Sequence, residues 1–204
     1  LDNEVQNLLF NEINMSVETS DIVCGENATV SVILPANVTG NVTVNVNNKN
    51  YTKNNVNGTV IFIISDLAVG TYNVAVSFVG DEAQGMATAV FEVYQLTPVL
   101  NITVNDIIEG ENATVVITLP EDATGSVTIT VDGKTYSAPI DKGLTTFKID
   151  NLASGSYDVL ASYDGDENYL PGTNTSSFNV EKPGASASVP VKANEKTKAN
   201  STII

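Results

Sequence analysis

Residues 21–51 read DIVCGENATVSVILPANVTGNVTVNVNNKNY, and residues 106–136 read DIIEGENATVVITLPEDATGSVTITVDGKTY. The second stretch lies 85 positions after the first and aligns with it without a gap. Extended to residues 21–82 against 106–167, the alignment keeps that offset and 29 of 62 positions are identical. Self-similarity on this scale marks a chain built from repeated units. The copies differ in length only after Glu82 and Glu167. There the first continues AQGMATAVFEV and the second NYLPGTNTSSFNV, two residues longer. A length change confined to one segment reads as a loop between strands.

Inside each unit the hydrophobic period is two. Ala28, Val30, Val32 and Leu34 alternate with Thr29, Ser31 and Ile33; Val42, Val44 and Val46 alternate with Thr43 and Asn45. Tyr72, Val74, Val76 and Phe78 follow the same rule. The second copy repeats it at Ala113, Val115, Ile117 and Leu119, at Val127, Ile129 and Val131, and at Tyr157, Val159, Ala161 and Tyr163. Such alternation puts one face of a strand in a core and the other in water. Val, Ile and Thr are stiff at χ1 and favour a pleated surface over a helix.

Glycines punctuate the strands at matching places: Gly25, Gly40, Gly58, Gly70 and Gly80, then Gly110, Gly125, Gly143, Gly155 and Gly165. Asp132-Gly133 signals a tight hairpin turn; Asn47-Asn48 holds the same place in copy one, and Asn tolerates positive φ. Leu67, Gly70, Tyr72 and Val74 recur as Leu152, Gly155, Tyr157 and Val159. A Tyr opening a late strand after a Leu-bearing corner resembles the tyrosine corner of immunoglobulin-like and fibronectin-type sandwiches. The chain is therefore expected to be all-β. It should form two tandem immunoglobulin-like β-sandwich domains of about seven strands each, arranged as beads on a string.

The expected organisation is an upstream linker at 1–10, repeat one at 11–93, a linker at 94–98, repeat two at 99–180, and a linker with the start of a third repeat at 181–204. Asn200 of NSTII stands after Val180 much as Asn112 of ENAT stands after Val93, which supports the third copy. A disordered tail rich in Lys and Ala would share that composition.

Composition narrows the chemistry. The chain carries 9 Lys+Arg, all of them Lys, against 24 Asp+Glu, for a net charge of −15. That balance repels phosphate backbones, so no nucleic-acid partner is expected. With no His there is no ordinary base near neutral pH and no Ser-His or Cys-His nucleophile pair. A lone cysteine, Cys24, makes no internal disulfide framework; it reads as an unpaired thiol at a strand end or as an intermolecular bridge. No run of 18 apolar residues could span a membrane. The expectation is a protein that is not an enzyme and holds no cofactor.

GENATVxxxLPxxxTGxVTxxVxxKxY, then LxxGxYxV, then the GDE and GDEN segments resemble the immunoglobulin-like repeats of adhesin-like cell-surface proteins, the bacterial Ig-like repeat type and especially those of methanogenic archaea. The resemblance covers residues 11–180. It implies long arrays on extracellular, cell-surface or wall-associated proteins that attach to other cells or to host-surface proteins and glycans. It brings no catalytic residues.

Two kinds of site remain. Asp164, Asp166 and Asn168 in YDGDENY are oxygen donors in a turn, an arrangement that suits Ca²⁺. Copy one keeps only Asp81 and Glu82 there, and a plain Asx turn explains the same residues. Sequons lie at Asn14, Asn27, Asn37, Asn41, Asn50, Asn57, Asn101, Asn112, Asn174 and Asn200, a modest excess for this composition and candidate glycosylation sites on a surface protein. Strands rich in Asn and Thr also generate sequons unaided. An internal isopeptide bond is not expected, because neither first strand carries a Lys.

The leading functional reading is a stalk that projects a binding region away from a cell. Alternatively the repeats themselves bind glycan or protein through end loops, with residues 168–173 and Tyr169 the one distinctive loop. Further alternatives are self-assembly by strand exchange and a role as an accessory to an enzyme.

Overall fold

A computed structural model describes residues 11–184. Residues 1–10, most of the segment read as a third repeat, and Asn200 lie outside the described residues.

Copy one comprises β1 (Asn11–Glu12), β2 (Ser16–Glu18), β3 (Ile22–Val23), β4 (Ala28–Ile33), β5 (Gly40–Val46), β6 (Lys49–Val56), β7 (Thr59–Ile64), β8 (Gly70–Gly80) and β9 (Ala83–Tyr94). Copy two comprises β10 (Asn101–Thr103), β11 (Ile107–Ile108), β12 (Ala113–Thr118), β13 (Ser126–Val131), β14 (Lys134–Pro139), β15 (Leu144–Ile149), β16 (Gly155–Tyr163) and β17 (Gly172–Glu181). The bounds of β2, β3, β4 and β7 recur 85 positions later in β10, β11, β12 and β15. No helix occurs among the described residues.

Each copy is two sheets face to face. In copy one β2-β4-β7 faces β1-β9-β8-β5-β6, with β3 also on β9; in copy two β10-β12-β15 faces β11-β17-β16-β13-β14. The strands read from sequence are present, but the first one is split between sheets. Residues 11–23 run beside β9, cross to β4, then return to β9. Copy two repeats the excursion through a bridge of Leu96 with Tyr169, then β10 on β12, then β11 on β17.

The alternation in sequence becomes burial. Val30, Val32, Val42 and Val44 are fully buried, as are Val115, Ile117, Val127 and Ile129. Each such side chain contributes about 1.5–3 kcal/mol relative to exposure. The inward residues form two separate cores, one per copy. Two-residue turns fix the β5–β6 and β13–β14 hairpins, pairing Val46 with Lys49 and Val131 with Lys134. Asn47 and Asn48 have φ of 51° and 62°, and Asp132 and Gly133 have 51° and 70°. Positive φ at both central residues is the type I′ turn that matches strand twist.

The corner motif also takes its expected form. The Tyr72 hydroxyl donates to the Ala68 carbonyl at 2.9 Å, and Tyr157 donates to Ala153 at 2.9 Å. Their rings stack on Phe91 and Phe178 of the neighbouring strand. Antiparallel strands in two stacked sheets, a tyrosine corner and a first strand shared between sheets define an immunoglobulin-like β-sandwich, present twice.

Candidate functional site

The distinctive part of copy two is the loop at residues 164–171 between β16 and β17. Gly165 starts it at φ +85°, where an added Cβ would lie 2.6 Å from the Tyr169 carbonyl oxygen. The loop then folds around one carboxylate. Asp166 Oδ1 accepts from the backbone N–H of Asn168 at 2.8 Å and of Tyr169 at 2.9 Å. Its Oδ2 accepts from the N–H of Thr124 at 2.8 Å and from the Thr124 hydroxyl at 2.9 Å. Partial burial pushes the Asp166 pKa up, but the N–H groups of Thr124 and Asn168 outweigh it and hold the pKa at about 2.

Of the calcium candidates Asp164, Asp166 and Asn168, two are engaged in hydrogen bonds within the fold. Both oxygens of Asp166 already face hydrogen-bond donors, whose protons would point at a cation. The Asn168 carbonyl oxygen accepts from Leu96 N–H at 2.8 Å, and its Oδ1 accepts from the Cys24 thiol at 3.3 Å. Asp164 is exposed. Among the described residues no three His, Cys, Asp or Glu side chains gather as a metal cage.

Tyr169, the aromatic residue of a candidate ligand loop, is 6% exposed and belongs to the core of copy two. Its hydroxyl donates to Asp122 Oδ1 at 2.7 Å, and that bond, with burial, raises its pKa to about 12. Beside it Tyr163 is 1% exposed. Burial first, then the Asp166 carboxylate, pushes the Tyr163 pKa up, although its hydroxyl has no aligned hydrogen-bond partner.

What the loop touches is the chain arriving from copy one. Leu96 N–H donates to Asn168, and Leu170 N–H donates back to the Leu96 carbonyl at 2.8 Å. The Gln95 side-chain amide donates to the Asp166 carbonyl at 2.6 Å. Within residues 94–98, which the sequence presents as a linker, Leu96 thus carries two backbone hydrogen bonds and Gln95 is held by its side chain. The Cys24 thiol, half-buried and free, adds a contact from copy one. A groove of about 310 Å³ lies at this joint, lined by Val69, Tyr94 and Gln95 on one side and Leu170 on the other. Copy one handles its own incoming chain alike: Asn11 N–H donates to the Glu82 carbonyl and Ile13 N–H to the Gln84 carbonyl, both at 2.8 Å.

Sequence reasoning passed over Gln95, because an amide next to a Pro-bearing segment has no pattern of its own. It also gave no role to Asp21 and Asp106. Their signal was the recurrence of D-I-x-x-G-E-N. Asp21 Oδ1 accepts from Glu92 N–H at 2.8 Å, and Asp106 Oδ1 accepts from Asn179 N–H at 2.7 Å.

The candidate glycosylation residues Asn27, Asn37, Asn41, Asn57, Asn101, Asn112 and Asn174 are all exposed. Asn174 alone among them donates its Nδ2 to a backbone carbonyl, that of Leu100 at 2.7 Å. Lys49 and Lys134 are exposed.

The sheets, corners and paired copies make this a tandem immunoglobulin-like protein. Residues 100–181, which make up copy two, match the family model of the bacterial Ig-like domain (group 3). No curated protein sequence matches the chain. Among solved structures it is similar to the fibronectin(III)-like modules of Clostridium thermocellum CbhA, at 15% identity over 83% of this chain and 95% of that one, with a TM-score of 0.35. It is also similar to the titin domains Z1Z2 in complex with telethonin, at 14% identity over 83% and 97%, TM-score 0.48. A third is the chicken CNTN1 FN1-FN3 domains, at 13% identity over 84% and 64%, TM-score 0.30. At these identities the likeness concerns the fold alone. No helix among the described residues is long and apolar enough to cross a membrane.

Proposed function

We propose that this chain is a section of an extracellular stalk, a non-catalytic array of Ig-like repeats that holds a binding region away from the surface of a cell. The whole protein would then attach to other cells or to host-surface proteins and glycans, as the adhesin-like repeats do that the sequence resembles. The observation that carries the reading is the joint. Copy two uses the one loop that distinguishes it to fasten Gln95 and Leu96, directly after β9. A spacer needs held joints and has no need of a ligand pocket. Exposed sequons and the charge of −15 suit a displayed, glycosylated and soluble surface protein.

Small-angle scattering with light scattering on the full chain tests this. The expected particle is an extended monomer with a fixed maximum dimension, the same with calcium and with EDTA. A shape that broadens into a flexible ensemble would remove the held joint and with it the spacer. A dimer or ladder of species would replace it with self-assembly by strand exchange.

A further inference from the structure

We propose that the joint between the copies has a second function: the groove beside Tyr94 is a docking site for an apolar, arginine-bearing segment of a partner protein. The site goes beyond the spacer reading, since a stalk whose joint bound nothing would still keep its shape in scattering.

Three separate segments build the groove. Val69 directly precedes β8, Tyr94 ends β9, and Leu170 comes from the loop that distinguishes copy two. Their side chains are 36%, 48% and 40% exposed. Single exposed apolar residues are ordinary on a protein surface, but three that converge on one cavity mark an interaction site. The volume of about 310 Å³ stands at the lower end of ligand pockets.

The matching place on copy two shows that the fold does not require this surface. Ser154 stands 85 positions after Val69. Glu181 pairs with Ile108 as Tyr94 pairs with Val23. The corner and the strand pairing are the same, yet copy two carries a hydroxyl and a carboxylate where copy one carries Val and Tyr. The apolar lining at the joint is therefore no by-product of building a sandwich.

Charge selects the occupant. The Tyr94 hydroxyl donates to Asp21 Oδ2 at 3.3 Å, and Glu92, two residues back on β9, lines the groove. The Glu92 carboxylate first, then burial and Asp21, push the Tyr94 pKa up to about 12. No Lys lines the groove. Elsewhere in copy one Lys49 stands 5.2 Å from the centre of the Tyr51 ring and Lys53 5.4 Å from that of Phe62, but among the described residues no cation covers Tyr94. An exposed ring flanked by two carboxylates attracts a cation through its face and through charge-assisted hydrogen bonds. Arg suits this pair better than Lys: its planar guanidinium stacks on an aromatic ring, forks onto a carboxylate and is weakly hydrated. The chain itself contains no Arg, so that residue must come from another protein. An aliphatic neighbour of the Arg would cover Val69 and Leu170.

The test titrates the isotope-labelled full chain with a blocked Gly-Leu-Arg-Leu-Gly peptide at physiological salt, where attraction to the net charge of −15 is screened beyond about 8 Å. Saturable NMR shifts are expected at the Val69 and Leu170 methyl groups and the Tyr94 ring. Glu92→Gln should weaken binding roughly fivefold. Val69→Ser, a change that Ser154 shows the corner accepts, should weaken it roughly threefold without altering charge. Both variants should keep the scattering profile of the parent, which separates loss of this site from loss of the spacer. The absence of saturable shifts at the groove would overturn the site. So would groove shifts that Val69→Ser leaves unchanged, because they would reduce the contact to general attraction between opposite charges. A neutral trisaccharide that moves the same signals while the peptide does not would overturn the choice of partner and make the groove a sugar site.

Discussion

The Tyr157 hydroxyl reaches back four residues to the Ala153 carbonyl, 2.9 Å away, while its ring lies against Phe178. One side chain thereby ties the loop before β16 to the packing of β16 on β17. Tyr157→Phe should keep the stacked ring and lose only the hydrogen bond. The expected cost is about 0.5–1.5 kcal/mol, read as a shift in the denaturant midpoint of copy two with an unchanged slope. Tyr72→Phe should do the same to copy one through Ala68. A Tyr157→Phe variant as stable as the parent would reduce the corner to an aromatic contact.

Asp166 supplies a pH dependence of defined sign. Its pKa lies near 2 in the folded chain against an ordinary value of 3.8. The unfolded chain therefore takes up the proton first as pH falls. The stability contributed by this carboxylate is fully present above about pH 4 and is lost as pH falls toward 2. Thermal midpoints measured from pH 5 down to pH 2 should drop over that window, and Asp166→Asn should flatten the drop. Asp166→Ala, which strands the N–H groups of Thr124, Asn168 and Tyr169, should cost about 1–3 kcal/mol at neutral pH.

Much of this molecule is local, and local features are what a sequence states openly. Val30 and Val115 sit in runs whose period alone places them in a core, and Asp132-Gly133 names its own turn. The split first strand is different. Ile13, Met15 and Val17 alternate as one continuous strand would, and the crossing between sheets is decided by β9, some 70 residues away. The acidic loop was legible as oxygen donors in a turn but not as a joint. What claims Asp166 is Thr124, 42 residues distant, and no spacing within YDGDENY announces it.

The sequons give a prediction about selective modification. A glycan is attached through Nδ2 of Asn, and Asn174 commits that atom to the Leu100 carbonyl. Asn112 stands exposed in the turn before β12. After expression in a glycosylating host, glycopeptide mass spectrometry should find Asn112 more fully occupied than Asn174. Equal occupancy would mean that the sugar is added before β17 takes its place beside Leu100.

Two glycines of copy two separate backbone strain from steric exclusion. Gly133 and Gly143 have nearly the same conformation, φ of 70° and 72°. An added Cβ at Gly133 meets nothing within 4 Å, whereas at Gly143 it would stand 2.6 Å from the Leu119 carbonyl oxygen and 2.7 Å from that of Pro120. Gly133→Ala should therefore cost only the left-handed penalty, about 1–2 kcal/mol. Gly143→Ala bears the same penalty and must also push apart two backbone segments, one of which accepts the Leu119-to-Gly143 hydrogen bond that closes the β12–β15 edge. The expected order is parent, then Gly133→Ala, then Gly143→Ala by a clear margin in thermal midpoint. Equal losses would show that conformation alone sets the cost and that the segment around Pro120 yields freely.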